Sequence, residues 1–295
     1  MHNNNHNRKI SVVGCGKVGK TLAALFYSRG VFSIGSIVNR TIESGRKAVE
    51  FIGAGIASEN FADVCDSSVI MISVPDDEIY SCSKRLAECG CVTPGTVVFH
   101  CSGFCSSQVL EPLKACGCIT ASVHPARSFS DPQSALENFH KVPCALEGRE
   151  PALRFLTQSL SAIGGDVFII EAQNKPLYHS AAVFLNNYIV ALMHASLTLL
   201  EKSGLDGEQS NAVAAALAPA AVNNVLRFGA ASSLTGPVVR GDMETVNKEI
   251  EALFTRCGEE FSDLYKVLGR TALSLAVQSG RLSDNQIGKL RKMLK

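Results

Sequence analysis

Residues 9–19 read KISVVGCGKVG, a short apolar run followed at once by the pattern G-x-G-x-x-G. A helical pattern then runs over residues 20–28 and ends near Gly30. In such a unit the first glycine permits a tight turn, the second lets the backbone approach a pyrophosphate, and the third lets helix and strand pack closely. We therefore predict a strand at 9–13 and a dinucleotide-binding turn. The expected cofactor contacts here are Gly14, Cys15, Gly16, Lys17, Val18 and Gly19. The alternative is a glycine-rich turn without a ligand.

Apolar strands alternate with helical patterns as far as residue 171. Further strands are predicted at 36–38, 69–74, 96–101, 119–123, 142–146 and 166–170, and helices at 42–51, 77–89, 108–116 and 151–163. Only helical patterns follow, at 174–203, 207–228, 242–269, 271–281 and from Ser283 onward. The alternation predicts an α/β fold with a doubly wound, mostly parallel Rossmann sheet at residues 1–172, and the remainder predicts an all-α domain at 173–295.

The end of the second strand predicts which nicotinamide cofactor is bound. An acidic residue at this place usually binds the ribose 2′-hydroxyl of NAD. The chain instead has Asn39-Arg40-Thr41. An arginine can donate two hydrogen bonds to a 2′-phosphate, and the neighbouring side chains add further donors. We expect NADP(H) rather than NAD(H), although Arg40 could also be an ordinary solvated arginine.

Polar residues follow three further strands at the carboxyl edge, where open parallel sheets bind their ligands. Val74-Pro75-Asp76 is expected along the cofactor. Ser102 and His124 follow the next two strands, and each is a candidate catalytic or positioning residue. His100 lies within a strand and is more simply interpreted as structural.

The helix that starts at Asn174 carries a narrow polar stripe of Lys175, His179 and Asn186 on an otherwise apolar surface. At 100° per residue these three side chains share one face, provided that the α-helix is unbroken. We interpret them as catalytic residues that line a polar cavity, with lowered pKa values for Lys175 and His179. The alternative is an exposed stripe at the edge of a helical bundle.

The loop LTGPVVRGD at residues 234–242 separates two predicted helices. Its glycines and its proline indicate a defined shape or a ligand contact. Arg240 and Asp242 could form a charged pair, and Asp242 could equally cap the following helix. Arg127 and Arg240 are both candidates to bind a substrate carboxylate.

Composition excludes several classes of protein. Lys and Arg number 28 against 27 Asp and Glu, so the chain lacks the basic surplus of a nucleic-acid-binding protein. The polar start MHNNNHNRK lacks the apolar region of a secretion signal, and the most apolar stretch, near 181–200, is interrupted by polar residues. We expect no membrane span, a cytoplasmic location and reduced thiols for the 11 cysteines. No metal site is expected, because Cys89/Cys91 and Cys116/Cys118 are spaced too closely for a zinc knuckle.

Taken together, GCGKVG at 14–19, VPDD at 74–77, HCSG at 100–103, His124-Pro125, Lys175-x-x-Tyr178-His179 and the loop at 234–242 resemble one family over nearly the whole chain. The motifs are similar to those of NADP oxidoreductases that join a Rossmann-like domain to a helical domain of unknown function. The resemblance implies kinship with pyrroline-5-carboxylate reductase and the β-hydroxyacid dehydrogenases, and a helical dimerisation domain. In the latter family the catalytic lysine is followed by asparagine four residues later, whereas His179 occupies that place here.

Two functions from different classes fit the sequence. The first is an NADP(H)-dependent oxidoreductase that acts on a small carbonyl, imine or hydroxy-acid substrate, with Lys175 or His179 as proton donor and Ser102 and Asn186 orienting the substrate. The second is a non-catalytic NADP-binding redox sensor or scaffold. We also expect a homodimer, because the long apolar helix needs more cover than one helical domain provides.

Overall fold

The computed structural model describes residues 8–295, so the polar opening segment at 1–7 lies outside the described residues. The chain forms two compact units, of which the first ends at Asn186 and the second spans Asn187–Lys295. The division falls inside the long helical segment rather than before it. The first turns of that segment, with Lys175 and His179, therefore belong to the sheet unit.

The first unit is built on one sheet of eight strands in the order β3-β2-β1-β4-β5-β6-β7-β8. The strands are β1 Lys9–Val13, β2 Ser33–Val38, β3 Ile56–Ser58, β4 Val69–Ile72, β5 Val97–His100, β6 Ile119–Pro125, β7 Val142–Gly148 and β8 Gly165–Ile169. All neighbours pair in parallel except β6 and β7. The chain order reverses between β1 and β4, which is the switch point of a doubly wound sheet. The predicted α/β class is confirmed.

Helices cover both faces of this sheet. They are α1 Lys17–Ser28, α2 Ile42–Ile52, α3 Ile79–Glu88, α4 Glu111–Ala115, α5 Pro132–Glu137, α6 Ala152–Ala162 and α7 Lys175–Val183. Strand β4 shows the double cover, since Val69 and Met71 belong to one buried cluster whereas Ile70 and Ile72 belong to another. Continuous apolar runs are required when successive side chains enter two different cores. The short β3 and α5 were not predicted.

The predicted helix at 174–203 is interrupted. Helix α7 is followed by a π-helical turn at Phe184–Tyr188 and then by α8 at Ile189–Lys202. A π turn has hydrogen bonds from residue i to i+5 and so shifts the faces of the helix on its two sides. The assumption of an unbroken α-helix from Lys175 to Asn186 is therefore wrong.

The second unit contains α8 and, after it, four further helices and two single helical turns. These are α9 Gly207–Phe228, α10 Ala230–Ser233, α11 Pro237–Arg240, α12 Met243–Cys257, α13 Glu259–Gln278 and α14 Asp284–Met293. The predicted helix at 242–269 is broken at Gly258, whose φ of 94° ends α12 and starts α13. Asp242 caps α12 by accepting a hydrogen bond from the Thr245 backbone N–H at 3.1 Å. Its capping role is thus confirmed.

Two features depart from the composition argument. The helical segment Ala172–Lys202 is long enough and apolar enough to cross a membrane, with a mean hydropathy of 1.5 over its most apolar window. Such a segment is weak evidence for a span, because a helix covered by another protein has the same composition. In addition, Cys65 and Cys91 form a disulfide, with Cα atoms 5.4 Å apart, so the expectation that all thiols are free is wrong.

Candidate functional site

The glycine-rich turn between β1 and α1 is held by backbone and side-chain contacts. Gly14 donates its N–H to Val38 O at 2.8 Å, and Cys15 donates its N–H to Asn39 Oδ1 at 2.6 Å. Gly14 has a φ of +77°, and a Cβ here would lie 2.3 Å from a methyl group of Val74. Only glycine fits this position, as the motif predicts.

The start of α1 is open to a ligand. Gly16 precedes the helix, no side chain caps the first turn, and a Cβ built on Gly16 would meet nothing within 4 Å. The free N–H groups of a helix start attract phosphate. A cleft of about 620 Å³ lies against this turn. Its lining includes Gly14, Cys15, Gly16, Asn39, Arg40, Thr41, Ser44, Ser73, Val74, Pro75 and Glu78.

Cys15 and Val18 turn their side chains into the core, so these two residues of the motif can face a ligand only with their backbone. The Cys15 side chain is buried in the sheet core, and Val18 packs against the same core. Lys17 reaches away to donate to Ser130 O at 2.7 Å. Gly19 lies beside Ser73, where a Cβ would come within 3.1 Å of the Ser73 Cβ. The third glycine therefore permits the close approach that the motif requires.

The segment after β2 has divided roles. Asn39 uses its carbonyl oxygen to hold the glycine turn, and Thr41 caps α2 by accepting from Ser44 N at 3.3 Å. Arg40 is exposed, and its Nη1 lies 3.8 Å from Glu78 Oε1. Glu78 is thus a carboxylate beside the predicted 2′-phosphate contact, and the sequence argument missed it because it follows a different strand.

A second cavity of about 260 Å³ extends the cleft away from the turn. Phe61 and Arg85 line it, with the guanidinium 4.0 Å from the ring centroid. An aromatic ring stacked on arginine is a suitable wall for a planar base. Neither residue was predicted, because they lie on elements far apart in sequence.

At the ends of β4 and β5, Ser102 and Asp76 are joined. Ser102 Oγ donates to Asp76 Oδ2 at 2.7 Å and accepts from the N–H groups of Phe104 and Cys105. The Ser102 hydroxyl therefore holds its own loop and ties it to the end of β4. Its donor is already used, so it does not point a free hydroxyl at a substrate.

Lys175 is fully buried at the start of α7. Its ammonium donates to Ser102 O at 3.1 Å and to Ser122 Oγ at 2.9 Å. Burial lowers the pKa of Lys175, and the nearby Glu147 carboxylate opposes that shift. The structure thus brings Lys175 to the carboxyl ends of β5 and β6, where it anchors Ser102 and Ser122. We call Lys175, Ser102, His100, His124, Tyr178 and His179 the Lys175 cluster.

Two histidines of the cluster are kept neutral by burial. His100 accepts from Ser102 N and contacts Ser106 O at 3.1 Å, and burial lowers its pKa to about 4. His124 Nδ1 lies 2.9 Å from the Tyr178 hydroxyl, and burial, aided by Lys175, lowers its pKa to about 4. His100 is structural, as interpreted. Burial also raises the pKa of Tyr178, which keeps its proton at neutral pH.

His179 and His124 both lie against the face of Gly103 on which a side chain would stand, and their ring centroids are 6.2 Å apart. A Cβ on Gly103 would be 2.9 Å from His124 Nε2 and 2.9 Å from His179 Nδ1. Among the described residues, His179 Nδ1 is buried and has no hydrogen-bond partner. A buried ring nitrogen without a partner in the protein is uncommon and calls for a chemical explanation. Phe104 contributes an edge-to-face contact to His179, at 6.2 Å between centroids.

Three candidate residues are not in this cluster. Asn186 lies in the π turn and is exposed, because that turn ends the α-helical spacing from Lys175. Arg127 donates to Asn138 O at 2.7 Å and Ser134 O at 3.2 Å, so its guanidinium secures α5 instead of offering a carboxylate site. Arg240 belongs to the second unit. Within residues 8–295 no group of three metal-binding side chains is assembled.

The fold and the site define a two-domain protein whose first domain is a Rossmann-type sheet. Residues 3–125 match the model of the Rossmann-like domain, and residues 142–272 match a domain of unknown function, DUF2520. The chain combines these two domains, which is the arrangement implied by the sequence resemblance. No curated protein is significantly similar to the sequence.

Solved structures share this arrangement. A protein from Thermotoga maritima is 28% identical, with a TM-score of 0.72 over 92% of this chain and 100% of that one. A candidate NADP oxidoreductase from Bacteroides fragilis is 20% identical, with a TM-score of 0.74 over 92% and 100% of the two chains. An imine reductase from a Pseudomonas species is 17% identical, with a TM-score of 0.66 over 98% and 100%. These likenesses establish the fold across both units.

Proposed function

We propose that the protein is an NADP(H)-dependent oxidoreductase acting on a small carbonyl, imine or hydroxy-acid substrate. The observation that carries the proposal is the continuity of the carboxyl edge. An uncapped helix start at Gly16 is followed along the sheet by Ser73–Asp76, Ser102 and His124. Neighbouring strands are about 4.8 Å apart, so this row has the span of a dinucleotide and a substrate beside it.

The residues of the cleft fit the cofactor. The open space at Gly16 and the free N–H groups of α1 suit the pyrophosphate, and Arg40 with Ser44 suits a 2′-phosphate. Phe61 and Arg85 suit the adenine ring, and Val74-Pro75 suits the nicotinamide end. The bound cofactor supplies the hydride. The protein then has to supply orientation and a proton.

We assign the proton to the histidine cluster. Within the part of the chain that the structure describes, His179 Nδ1 is unpartnered, and His124, which is hydrogen-bonded to Tyr178, lies against the same face of Gly103. A neutral imidazole and a protonated phenol can each hydrogen-bond a carbonyl or imine atom and exchange a proton with it. Lys175 holds the Ser102 backbone in place and adds positive charge behind the site.

The alternative, a non-catalytic redox sensor, also needs the glycine turn but has no use for this cluster. His124 from β6 and His179 from α7 both lie against Gly103, and Tyr178 is hydrogen-bonded to His124. Maintaining buried, partly unpartnered polar groups costs stability, which favours a chemical role.

The deciding experiment is NADPH oxidation and NADP⁺ reduction with a panel containing a cyclic imine, an aldehyde, a 2-oxo acid and a 3-hydroxy acid. We expect turnover with one class, and at least a tenfold loss in His179→Leu with the NADPH Kd within about twofold. Leu177→Ala, an exposed change on the same helix, is the control. NADPH binding without turnover of any class would support the sensor instead.

We also propose a homodimer that covers the apolar helices. Exposed apolar side chains on α8 and α9 include Val190 at 67%, Leu217 at 66% and Leu226 at 80%. A surface of this kind marks an interface. The first residue of α7, Lys175, is hydrogen-bonded into the sheet unit, which ties the start of the apolar segment to folded protein, so we assign the cover to a second copy. Light scattering should give twice 31.4 kDa in detergent-free buffer. A monomer, or recovery only with membranes, would contradict the proposal.

We propose a cytoplasmic location, since nine of the eleven cysteines are free thiols. The Cys65–Cys91 disulfide is the observation against it, because disulfides are rare in reducing compartments. Alkylation in intact cells followed by mass spectrometry should label the nine free cysteines, and finding those nine oxidised would contradict a reducing compartment.

A further inference from the structure

One buried acid lies outside all the residues predicted from sequence. Glu147 is 6% exposed and sits in β7, directly opposite Ser122 of the antiparallel neighbour β6. A carboxylate inside a protein has to be satisfied by donors and by opposite charge. Glu147 accepts from Ser107 N at 2.6 Å, from Ser107 Oγ at 2.8 Å and from Ser122 Oγ at 3.2 Å.

The positive charge that balances Glu147 is the Lys175 ammonium, and the Ser122 hydroxyl lies between the two groups. Ser122 Oγ accepts a hydrogen bond from the Lys175 ammonium at 2.9 Å and donates its own hydrogen bond to Glu147 at 3.2 Å. A serine hydroxyl has one donor and two acceptor positions, so it can serve both ions at once. Both charged groups are buried, and the serine makes them a bridged ion pair.

The same pair holds both ends of the loop after β5. Lys175 donates to the carbonyl of Ser102 at the start of the loop, and Glu147 accepts the N–H of Ser107 at its end. Between these points lies Gly103, with His124 and His179 beside it. The position of that glycine therefore depends on both members of the pair.

We propose that Glu147 is a positioning residue of the oxidoreductase site, acting through Ser122 and Lys175 to hold the loop at residues 102–107 in its working shape. The role rests on the proposed function. Glu147 touches neither the glycine turn nor the histidine cluster, so it acts on turnover and leaves cofactor binding intact. Its negative charge also opposes the lowering of the Lys175 pKa by burial, because an opposite charge favours the charged form. Asp76 and Cys105 act on Lys175 in the same direction but more weakly, and His100 and His124 are further titratable groups that face it.

The first test needs no substrate. Unfolding in urea is measured for the wild type, Glu147→Gln, Lys175→Met and the double variant. We expect the two changes to be coupled by at least tenfold in the unfolding constant, which is about 1.4 kcal/mol, because each single change strands a buried charge. Glu111→Gln is the matched control, since Glu111 pairs with the exposed Lys114. Additive effects within twofold would overturn the proposal. If Glu147→Gln does not fold, Ser122→Ala takes its place in the cycle.

The second test uses turnover of NADPH with the substrate class found in the panel. Glu147→Gln should lower kcat at least tenfold, keep the NADPH Kd within about twofold, and move the alkaline limb of the kcat profile to lower pH. Glu147→Asp keeps the negative charge, so the alkaline limb of its kcat profile should lie at the pH of the wild type. A lower kcat with an unmoved limb would mean a purely structural role and would overturn the proposal. If the panel finds no substrate, the proposed function fails while the unfolding cycle still reports on Glu147.

Discussion

The glycine-turn cleft and the Lys175 cluster lie at the same edge of one sheet but are built in opposite ways. The cleft consists of backbone groups and exposed side chains such as Arg40. The cluster consists of buried polar side chains, with Lys175 and His100 fully buried. Changes in the cleft should therefore affect ligand binding at little cost in folding, whereas changes in the cluster should affect folding and turnover together.

The largest effect is expected for Lys175→Met, which leaves the buried Glu147 carboxylate without its opposite charge. Breaking a buried ion pair costs about 3–5 kcal/mol. Urea unfolding should report a loss of that size, whereas Lys114→Met, at an exposed pair, should change the free energy of unfolding by less than about 0.5 kcal/mol. A loss below about 1 kcal/mol for Lys175→Met would remove the contrast between the two regions.

Acid should weaken the cluster next. Burial lowers the pKa of His100 to about 4, against about 6.5 in an unfolded chain. The unfolded state binds more protons between these values, so the stabilisation is complete above pH 6.5 and is lost as the pH falls towards 4. Protonation of His100 should lower the free energy of unfolding by about 3 kcal/mol at pH 4, and protonation of His124 lowers it further. Unfolding at pH 7, 5.5 and 4.5 measures the slope. His194 is exposed, so His194→Asn should leave the slope of stability against pH unchanged. A flat profile in the wild type would contradict the burial of His100 and His124 in their neutral forms.

Gly16→Ala tests the cleft alone. A Cβ at Gly16 meets nothing within 4 Å in the protein but would occupy the space expected for a pyrophosphate. We expect NADPH binding to weaken by about 100-fold, or roughly 2.7 kcal/mol, with a stability change below about 0.5 kcal/mol. Calorimetric titration and urea unfolding give the two numbers. Tight NADPH binding in this variant would place the phosphates elsewhere.

The smallest effect is expected for Arg40→Ala, because the arginine is exposed and lies next to Glu78. Loss of one charge-assisted contact should weaken the binding of NADPH by about 1–3 kcal/mol and leave the binding of NADH nearly unchanged. The companion variant Glu78→Gln should tighten the binding of NADPH, because it removes a negative charge beside the expected site of the 2′-phosphate. Tighter binding of NADH than NADPH in the wild type would refute the cofactor preference.

The same contrast explains how much could be predicted from sequence. Strand β1 was predicted with its exact bounds, and the glycine turn was recognised because Gly14 and Gly19 satisfy steric requirements that are local to the motif. Helix α1 begins at Lys17, three residues before its predicted start at residue 20. Every strand except the short β3 was predicted, because a doubly covered sheet needs continuous apolar runs, as in β4. Lys175 was found through its polarity on an apolar helix.

What could not be predicted depends on which strands are neighbours. Glu147 meets Ser122 only because β7 runs antiparallel to β6, and the periodicity of either strand carries no sign of this pairing. The distance of Asn186 from the cluster follows from the π turn, whose sequence FLNNY shows no helix-breaking residue. Glu78 and Arg85 reach the cleft from the segment after β4, far from the motif that identified it.

The hydrogen bond from Cys15 N to Asn39 Oδ1 has a consequence for the evolution of this fold. The turn requires an acceptor at position 39, and either an amide oxygen or a carboxylate oxygen supplies one. The charge of that side chain matters only to the ribose of the ligand. Asn39→Asp would therefore leave the anchor of the loop intact while turning an attraction for phosphate into repulsion. Cofactor choice can thus change by a single neutral step, without passing through a sequence in which the glycine turn has lost its support.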